Sequence, residues 1–464
     1  MSLPKAFSER MMRILKDEYN NFTESLSQDA PISIRKNPKK GYDTSDFSPI
    51  PWTSYGYYLN SRPVFTLDPL FHAGSYYVQE ASSMFLEQAI EQHISKTEPL
   101  RALDLCAAPG GKSTHLASLL SEESLLVSNE VIKSRANILS ENIQKWGQGN
   151  IVVTNNDPKD FNKLENFFDV IVVDAPCSGE GMFRKDINAR AEWSEENVQL
   201  CAERQRRILM DIWDCLKPGG KLIYSTCTYN EQENEQNLAW LTQTTNSTNL
   251  KLDLDPSWNV TQRILEGVEG YSFFPHKTRG EGFFLAVVQK EGKPVSGNGK
   301  KQKRKKPVFE KPQAQLRDTF IQWLEKPEKW ELIQREDFIS ILPKIHIPAL
   351  EKIYQQLRVI YGGCVVAEVK KKNVKPLHSF ALFNGLNQSA FSCVNLDLHE
   401  ALSFLKKETP TIPDAPEGLL LICYRNTPLG WAKKIRQRIN NNYPKEWRIR
   451  MNIPEELIKK TDEK

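Results

Sequence analysis

The sequence lacks the features that would place it in a membrane or in the secretory pathway. No stretch approaches the roughly 18 consecutive apolar residues that a membrane-spanning helix needs, and the mean hydropathy is -0.52. Charged residues are scattered through the first twenty positions, so the N-terminus has no apolar core of the kind that secretory signals carry. We therefore expect a cytoplasmic protein with no membrane partner.

Cysteine is sparse and never closely paired. The chain has 8 cysteines, and the two closest in sequence, Cys215 and Cys227, are separated by twelve positions. Without a Cys-x-x-Cys pair the sequence offers neither a zinc ribbon nor a thioredoxin-type site, and we expect no metal. In a reducing cytosol such thiols are either inert core residues or reactive groups.

The chain has little net charge, +4 over 464 residues, but the positive charge is unevenly distributed. Residues 300–306 read KKQKRKK, and the region 425–450 holds eight Lys and Arg residues against a single Glu. Locally basic segments indicate a polyanionic partner such as nucleic acid, although a solvated loop or face has the same composition.

The pattern along the chain predicts an α/β protein with smaller flanking units. Short apolar runs alternate with amphipathic segments between 76 and 290, which is typical of a parallel sheet covered on both faces. The run Gly282–Val288 is expected to be an antiparallel edge strand. The predicted segments are an N-terminal unit (1–75), an α/β domain (76–290), a basic linker (291–312), a small α+β domain (313–395) and a C-terminal domain (396–464).

The strongest local motif is D-L-C-A-A-P-G-G-K at 104–112, a strand followed by a loop of small residues and a helix. Gly110 and Gly111 let backbone approach a ligand closely, and the helix N-terminus offers unpaired N–H groups. The motif can be interpreted as either of two kinds of nucleotide-binding site. A P-loop needs glycine five positions before its second glycine, where Cys106 stands, and Pro109 removes an N–H group, so the P-loop is disfavoured.

A Rossmann-like adenosine site is the other interpretation. Such a site uses an acidic residue about 20 positions beyond the glycine loop to bind ribose hydroxyls. Glu130 lies at that distance, and Asp157 follows the next predicted strand. A single carboxylate at a strand end is most often a loop cap, but three successive strand ends with suitable groups favour a ligand site. The incomplete G-x-G-x-x-G spacing favours S-adenosylmethionine over a dinucleotide.

Two cysteines follow predicted strands. Cys177 lies in D-A-P-C-S-G-E-G at 174–181, and Cys227 lies in S-T-C-T at 225–228. Because ligands bind at the carboxyl ends of parallel strands, both thiols would share a crevice with the cofactor. The other cysteines of helix and strand patterns are expected to be inert: Cys201, Cys215, Cys364, Cys393 and Cys423.

A thiol beside an S-adenosylmethionine pocket indicates methylation of a carbon. C5 of cytosine is not nucleophilic by itself, and addition of a thiolate at C6 makes it so, which is covalent catalysis. A nearby carboxyl group would stabilise the adduct through N3 and N4 of the base. A second acid–base group would then help the C5 proton and the thiol to leave.

These motifs together resemble the Nol/Nop/Sun family of RNA (cytosine-5)-methyltransferases. The resemblance covers about 1–290 and includes F-P-H at 274–276, G-E-G-F-F at 280–284 and an R-x-N element at 35–37. It implies that Cys227 is the nucleophile, that Cys177 assists product release, and that Asp174 contacts the cytosine with Lys112 near the base. The implied cofactor-binding residues are Cys106, Ala107, Ala108, Pro109, Gly110, Gly111, Lys112, Glu130, Asp157 and Asp174.

The C-terminal region resembles the PUA-like domain of bacterial RsmF-type 16S ribosomal RNA methyltransferases. It interleaves Trp431, Tyr443 and Trp447 with basic residues, a combination that suits stacking and phosphate contact, although such aromatics are often core. The resemblance implies 16S RNA as substrate, with an inactive RNA-binding or ribosome-assembly factor and a tRNA cytosine-5 methyltransferase as alternatives. The expected RNA-binding residues are Arg35, Asn37, Lys433, Lys434, Arg436, Lys445, Trp447 and Arg448.

Overall fold

A computed structural model of the protein describes residues 3–292, 308–370 and 373–454. The basic run at 300–306, and with it most of the predicted linker, lies outside the described residues. Within these three ranges no helix is long and apolar enough to cross a membrane.

The N-terminal unit consists of a helical pair and a small sheet. Helix α1 forms because Phe7, Met11 and Leu15 recur every four residues and make one buried face. The sheet has the order β2-β3-β1-β4, and its last strand lies beyond the predicted boundary at 75. The elements are α1 (Lys5–Leu15), α2 (Tyr19–Ser25), β1 (Ser33–Lys36), β2 (Ser48–Pro49), β3 (Gly56–Tyr58), α3 (Pro69–His72) and β4 (Tyr76–Val78).

The central domain is built on one large mixed sheet with helices on its faces. Its elements are α4 (Leu86–His93), β5 (Arg101–Asp104), α5 (Gly111–Leu119), β6 (Leu125–Asn129), α6 (Lys133–Trp146), β7 (Ile151–Thr154), β8 (Phe168–Asp174), α7 (Ile187–Glu192), α8 (Glu195–Trp213), β9 (Leu216–Thr226), α9 (Glu235–Thr244), β10 (Ser247–Leu250), β11 (Thr261–Leu265), β12 (Val268–Phe273) and β13 (Phe283–Lys290).

The predicted parallel sheet is confirmed. Strands β9, β8, β5, β6 and β7 lie side by side in that order, all parallel, and nearly all of their residues are buried. The chain runs from β5 outward to β7 and then returns to the other side of β5 with β8. This reversal creates a topological switch point, where the loops after β5 and β8 diverge and leave a crevice.

The expectation of an edge strand at Gly282–Val288 is wrong. Strand β13 pairs antiparallel with β9 as expected, but β12 and β10 pair with β13 on its other side. The apolar run is buried on both faces, and a strand of that composition is suited to the interior of a sheet.

The C-terminal half forms two small sheets and also extends the central one. The elements are α10 (Ala314–Gln322), β14 (Trp330–Arg335), β15 (Phe338–Pro343), α11 (Ile347–Gln356), β16 (Val359–Gly362), β17 (Cys364–Lys370), β18 (Asn373–Pro376), α12 (His378–Ala381), β19 (Ser392–Leu396), α13 (Leu398–Leu405), β20 (Gly418–Tyr424), β21 (Thr427–Ile435) and β22 (Arg438–Asn441). Strand β16 pairs antiparallel with β7. The predicted unit 313–395 therefore shares a sheet with the central domain.

The units also share hydrophobic cores. Leu70 and Tyr76 of the N-terminal unit pack in one cluster with Leu402 and Leu420 near the C-terminus. A second cluster joins Leu350 and its neighbours to strands of the central sheet. The N-terminal and C-terminal regions therefore pack on each other and on the central domain, and the C-terminal half also holds a core of its own around Phe320, Ile341 and Trp431.

Arg35 and Asn37 are buried in this junction, so the expectation that they contact RNA is wrong. Both side chains have no exposed surface. The Arg35 guanidinium donates to Gln79 Oε1 at 2.8 Å and to Thr114 Oγ1 at 2.5 Å, and it lies 4.5 Å from the ring of Trp146. Asn37 donates to two backbone carbonyl oxygens. Their role is to join the N-terminal sheet to the central domain.

Replacing Arg35 by alanine should therefore destabilise the fold. The change leaves a cavity and removes the donors to two buried acceptors, which together cost about 3 kcal/mol. Urea unfolding measures the loss. Lys39→Ala is the control, because Lys39 pairs with Glu122 at the surface and such pairs contribute less than about 1 kcal/mol. Equal stabilities of the two variants would contradict the structural role of Arg35.

Candidate active site

Two thiols meet at the carboxyl ends of adjacent parallel strands. Asp174, the last residue of β8, pairs in register with Ser225 near the end of β9. The loops that follow bring Cys177 and Cys227 together, with 3.0 Å between their Sγ atoms and 3.3 Å from the Cys227 N–H to the Cys177 Sγ. The structure thus brings the two predicted cysteines into contact, as their position after neighbouring strands implied.

The environment distinguishes the two thiols. The pKa of Cys177 is raised well above its ordinary value by its hydrogen bond to Cys227 and by burial, so Cys177 keeps its proton at neutral pH. Ionised Cys227 would interact favourably with the ammonium of Lys112. The protonated thiol of Cys177 thus lies in hydrogen-bonding contact with the thiol of Cys227. If Cys227 is ionised, the Lys112 ammonium is the nearby cation.

A buried hydrogen-bond network ties the two thiol loops together. Ser178 and Thr228, which directly follow the two cysteines, lie 3.1 Å apart between hydroxyl oxygens. Glu233 accepts from the Ser178 N–H at 2.9 Å and from the Ser178 hydroxyl, and Gln205 donates to the same carboxyl group at 2.9 Å. Burial raises the pKa of Glu233 to about 7.

Gly181 closes the Cys177 loop against the Cys227 loop. Its N–H donates to the carbonyl oxygen of Cys227 at 2.9 Å. A Cβ atom at this position would lie 2.4 Å from the carbonyl oxygen of Gly282 and 2.9 Å from that of Cys227. Only glycine allows this approach, which explains the last glycine of the D-A-P-C-S-G-E-G motif.

Lys112 and Asp174 form a pair across the switch point. The Lys112 Nζ lies 2.9 Å from Asp174 Oδ2, and the Ser225 hydroxyl donates to Asp174 Oδ1 at 2.8 Å. Burial opposes the charged form of Lys112, but the Asp174 carboxylate outweighs it and the pKa of Lys112 is raised. The lysine therefore stays cationic, and the two predicted residues join the loop after β5 to the thiol site.

The loop between β5 and α5 has the form that the motif predicts. Gly110 takes a φ of +118° before helix α5, a conformation that favours glycine. The preceding small residues Ala107 and Ala108 are buried beside it. Burial raises the pKa of Cys106, with Asp104 adding to the effect, so this thiol stays protonated at neutral pH.

Asp104 is a site residue that the sequence reasoning did not select. It ends β5 and is fully buried, and burial raises its pKa to about 7 although the Ser113 hydroxyl donates to Oδ2 at 2.6 Å. The other oxygen, Oδ1, has no partner among the described residues. A carboxylate ending the strand before a glycine loop was the available signal. Glu233 had no such signal, because its burial depends on packing against a distant loop.

Glu130 and Asp157 follow β6 and β7 as predicted. Glu130 is buried, accepts from the N–H of Ile132 at 2.9 Å and lies 3.4 Å from Arg135. Asp157 caps the short helical turn 158–163, accepting from the N–H of Lys159. Both carboxylates stand at the same edge of the sheet as Asp104 and Asp174, because parallel strands end together.

The expected RNA-binding residues of the C-terminal sheet differ in their exposure. Lys433, Arg436 and Lys445 are exposed. The Lys434 ammonium is held by the carbonyl oxygens of Pro413 and Ala415. Trp447 is half-buried against His378, and Arg448 donates to the carbonyl oxygen of Lys445. Trp431 and Tyr443 are buried in the core.

Fold and site together define a class of enzyme. A parallel sheet with a small-residue loop at its switch point suits an adenosine-containing cofactor, and a paired thiol beside it suits covalent catalysis. The class is a Rossmann-fold methyltransferase with two thiols in contact at the switch-point edge of its sheet.

Comparisons with known proteins agree with this class. The sequence profile of 16S rRNA methyltransferase RsmB/F matches residues 92–289, that of the N-terminal domain of 16S rRNA methyltransferase RsmF matches 3–81, and that of the methyltransferase RsmF PUA domain matches 391–449. Ribosomal RNA small subunit methyltransferase F of Pectobacterium atrosepticum is 33% identical, with 96% of each chain covered. The Vibrio cholerae protein of the same name is 30% identical, with 96% of this chain and 98% of its own covered.

Solved structures share the fold. The methyltransferase homolog protein from Pyrococcus horikoshii is 26% identical, with a TM-score of 0.53 over 62% of this chain and 95% of its own. NSun6 from the same organism, determined with SFG, is 20% identical, with a TM-score of 0.52 over 62% of this chain and 99% of its own. The chain belongs to the RsmB/F family of 16S rRNA methyltransferases. This confirms the resemblance inferred from the motifs.

The raised pKa of Glu233 implies that the free energy of unfolding depends on pH. A carboxyl group that is protonated more readily in the folded state stabilises the fold at low pH, and this contribution is lost as the pH rises through the folded pKa. Relative to Glu233→Gln, the wild-type protein should lose about 3 kcal/mol of unfolding free energy between pH 4.5 and 7. Glutamine keeps the network, because its amide can donate to the Ser178 hydroxyl.

Urea unfolding at a series of pH values tests this expectation. Glu203→Gln, on the exposed face of α8, is the control for removing one carboxyl group. A difference between wild type and Glu233→Gln that stays constant from pH 4.5 to 7 would show that folding does not raise the pKa of Glu233.

Proposed function

We propose that this protein methylates C5 of cytosine in 16S ribosomal RNA with S-adenosylmethionine as methyl donor. The observation that carries the proposal is the pair of thiols 3.0 Å apart at the switch-point edge of the sheet. A binding protein needs no such pair, and methyl transfer to an unreactive carbon needs a nucleophile. The relatives are named as methyltransferases of small-subunit ribosomal RNA, which supports 16S ribosomal RNA as the substrate.

Cys227 is the nucleophile in this proposal. Its thiolate adds to C6 of cytosine and forms the Sγ–C6 bond, and the electrons of the C5–C6 double bond move toward C5. C5 would then take the methyl group as the bond from that group to the sulfonium sulfur of the donor breaks, leaving a neutral thioether. The C5 proton passes to solvent water, the electron pair of the C5–H bond restores the C5–C6 double bond, and the Sγ–C6 bond breaks with its electrons returning to the Cys227 sulfur.

Cys177 assists the release step. Its raised pKa keeps the proton on its Sγ, and that Sγ lies in hydrogen-bonding contact with the sulfur that must leave C6. A thiol in this position can donate to the departing thiolate of Cys227 and so stabilise it. The charge that develops on sulfur during elimination is therefore met by a hydrogen-bond donor.

Asp174 and Lys112 position the base. Their 2.9 Å ion pair borders both the loop after β5 and the thiol site. In the proposal the Asp174 carboxylate accepts a hydrogen bond from the N4 amino group of cytosine. The Lys112 ammonium lies beside the same ring, where it stabilises the negative charge that develops once C6 is attacked.

The residues of the β5–α5 loop fit the proposed cofactor. S-adenosylmethionine supplies the methyl group from a positively charged sulfonium and also carries an ammonium group. The unpartnered Oδ1 of Asp104 and the carboxylate of Asp174 suit such charges. We assign the segment 106–112 to the cofactor's polar end, Glu130 to ribose hydroxyls, and Asp157 to the adenine amino group.

The C-terminal sheet supplies the electrostatic contact with RNA in this proposal. Lys433, Arg436 and Lys445 are the exposed cations among the predicted residues, and phosphate contacts of this kind weaken as salt rises. Ribosomal RNA and reducing conditions that keep both thiols free occur together in the cytoplasm, which is the compartment we propose.

Substitution of each thiol separates the two roles. Cys227→Ala should abolish methylation and form no adduct, because no sulfur remains to attack C6. Cys177→Ala should accumulate an enzyme–RNA adduct that survives denaturing electrophoresis, because release is slowed. Cys201→Ala, on α8, is the control and should behave as wild type. An adduct with Cys227→Ala but not with Cys177→Ala would reverse the assignment.

Bisulfite sequencing of RNA identifies the substrate. Ribosomal and transfer RNA from cells with and without the gene are compared, and we expect loss of a protected cytosine in 16S RNA. Loss in transfer RNA instead would keep the chemistry and overturn the substrate. No change in either RNA would favour an inactive RNA-binding or ribosome-assembly factor.

A further inference from the structure

Glu180 has no role in the proposed reaction although it lies in the Cys177 loop. Its side chain is fully buried. Oε2 accepts from the N–H of Tyr229 at 3.2 Å, and Oε1 lies 2.5 Å from the NH2 of Arg10. Because Tyr229 follows Cys227 by two positions, one carboxylate that belongs to the first thiol loop also bonds to the second.

Arg10 supplies the cation that this carboxylate needs. A buried carboxylate is stable only with a counter-charge or several hydrogen bonds, and Arg10 is the partner in its ion pair. The guanidinium is itself largely enclosed, with 14% of the side chain exposed. It lies 5.4 Å from the ring of Phe7 and 5.7 Å from that of Trp193, whose indole N–H also donates to Glu180 at 2.9 Å.

Helix α1, which carries Arg10, and helix α2 pack directly on residues that follow the two thiols. Phe7 of α1 meets Phe183 edge to face at 4.9 Å between ring centroids, and Phe22 of α2 meets Tyr229 in the same way at 5.2 Å. The face of α1 is buried in a cluster with these rings. Arg10 is therefore held in place from one side by its helix and from the other by the carboxylate.

We propose that Arg10 is a positioning residue that sets the spacing of Cys177 and Cys227. By holding the Glu180 carboxylate against the Tyr229 N–H, it fixes the first thiol loop relative to the second, and the N-terminal helix thereby becomes part of the active site. The effect on turnover rests on the proposed function, whereas the effect on thiol spacing does not.

The thiol spacing can be measured without RNA or methyl donor. The protein is equilibrated with mixtures of reduced and oxidised glutathione, in which two protein thiols form a disulfide while one glutathione disulfide is reduced to two thiols. Mass spectrometry of the linked peptides then gives the effective concentration of Cys177 toward Cys227. We expect Arg10→Met to lower it at least tenfold, and Arg10→Lys, which keeps the charge, to recover much of the loss.

Turnover provides the second measurement. If release depends on the spacing, Arg10→Met should lower kcat at least tenfold with little change in KM for RNA, and it should accumulate part of the adduct expected for Cys177→Ala. A purely structural defect would lower the active fraction without trapping an adduct. Arg13→Met is the matched control, because Arg13 lies on the same helix and is exposed.

The outcomes distinguish the two proposals. An unchanged effective concentration in Arg10→Met and Arg10→Lys would overturn the positioning role, whatever happens to turnover. An equal loss in Arg13→Met would overturn it as well, since the helix rather than the ion pair would be responsible. If wild type shows the high effective concentration but methylates no RNA, the proposed function fails and the glutathione measurement still decides the role of Arg10.

Discussion

Parallel pairing of β8 with β9 is the constraint on which the site depends. Because Asp174 is in register with Ser225, the loops that follow the two strands begin side by side. Cys177 lies three residues after Asp174 and Cys227 two residues after Ser225, so the two thiols come into contact. A shift of one residue in this register would turn the side chains of one strand to the opposite face. Both strands are buried on both faces, so hydrophobic packing holds the register that the chemistry requires.

The N-terminal and C-terminal regions pack around the central sheet and so support the register of β8 with β9. Each shares a core with another part of the chain, and the C-terminal half has a further core of its own. The N-terminal helices cover the thiol loops. Arg35 joins the N-terminal sheet to helix α5, and β16 extends the central sheet beside β7. The fold is therefore one interlocked body around the crevice.

Burial and neighbouring charged groups shift the pKa values of several groups inside this body. Lys112 is kept cationic by Asp174, Cys177 is kept neutral by Cys227 and by burial, and Glu233 is shifted toward its neutral form by burial. In a medium of low dielectric these states interact more strongly than they would in water. The site thus combines a lysine cation that is paired with Asp174 and a neutral thiol, Cys177, in contact with the Cys227 Sγ.

The amino-acid sequence by itself determined the parallel sheet, the loop after β5 and the pairing of the two cysteines, because alternating apolar strands and the small-residue motifs after them are local signals. Tertiary structure alone decided where the basic residues and flanking strands lie. Arg35 was expected at an RNA surface and is buried, β13 was expected at an edge and lies inside the sheet, and Arg10 was not selected at all. An arginine or an apolar run has the same local pattern in either setting, and only partners distant in the chain distinguish them.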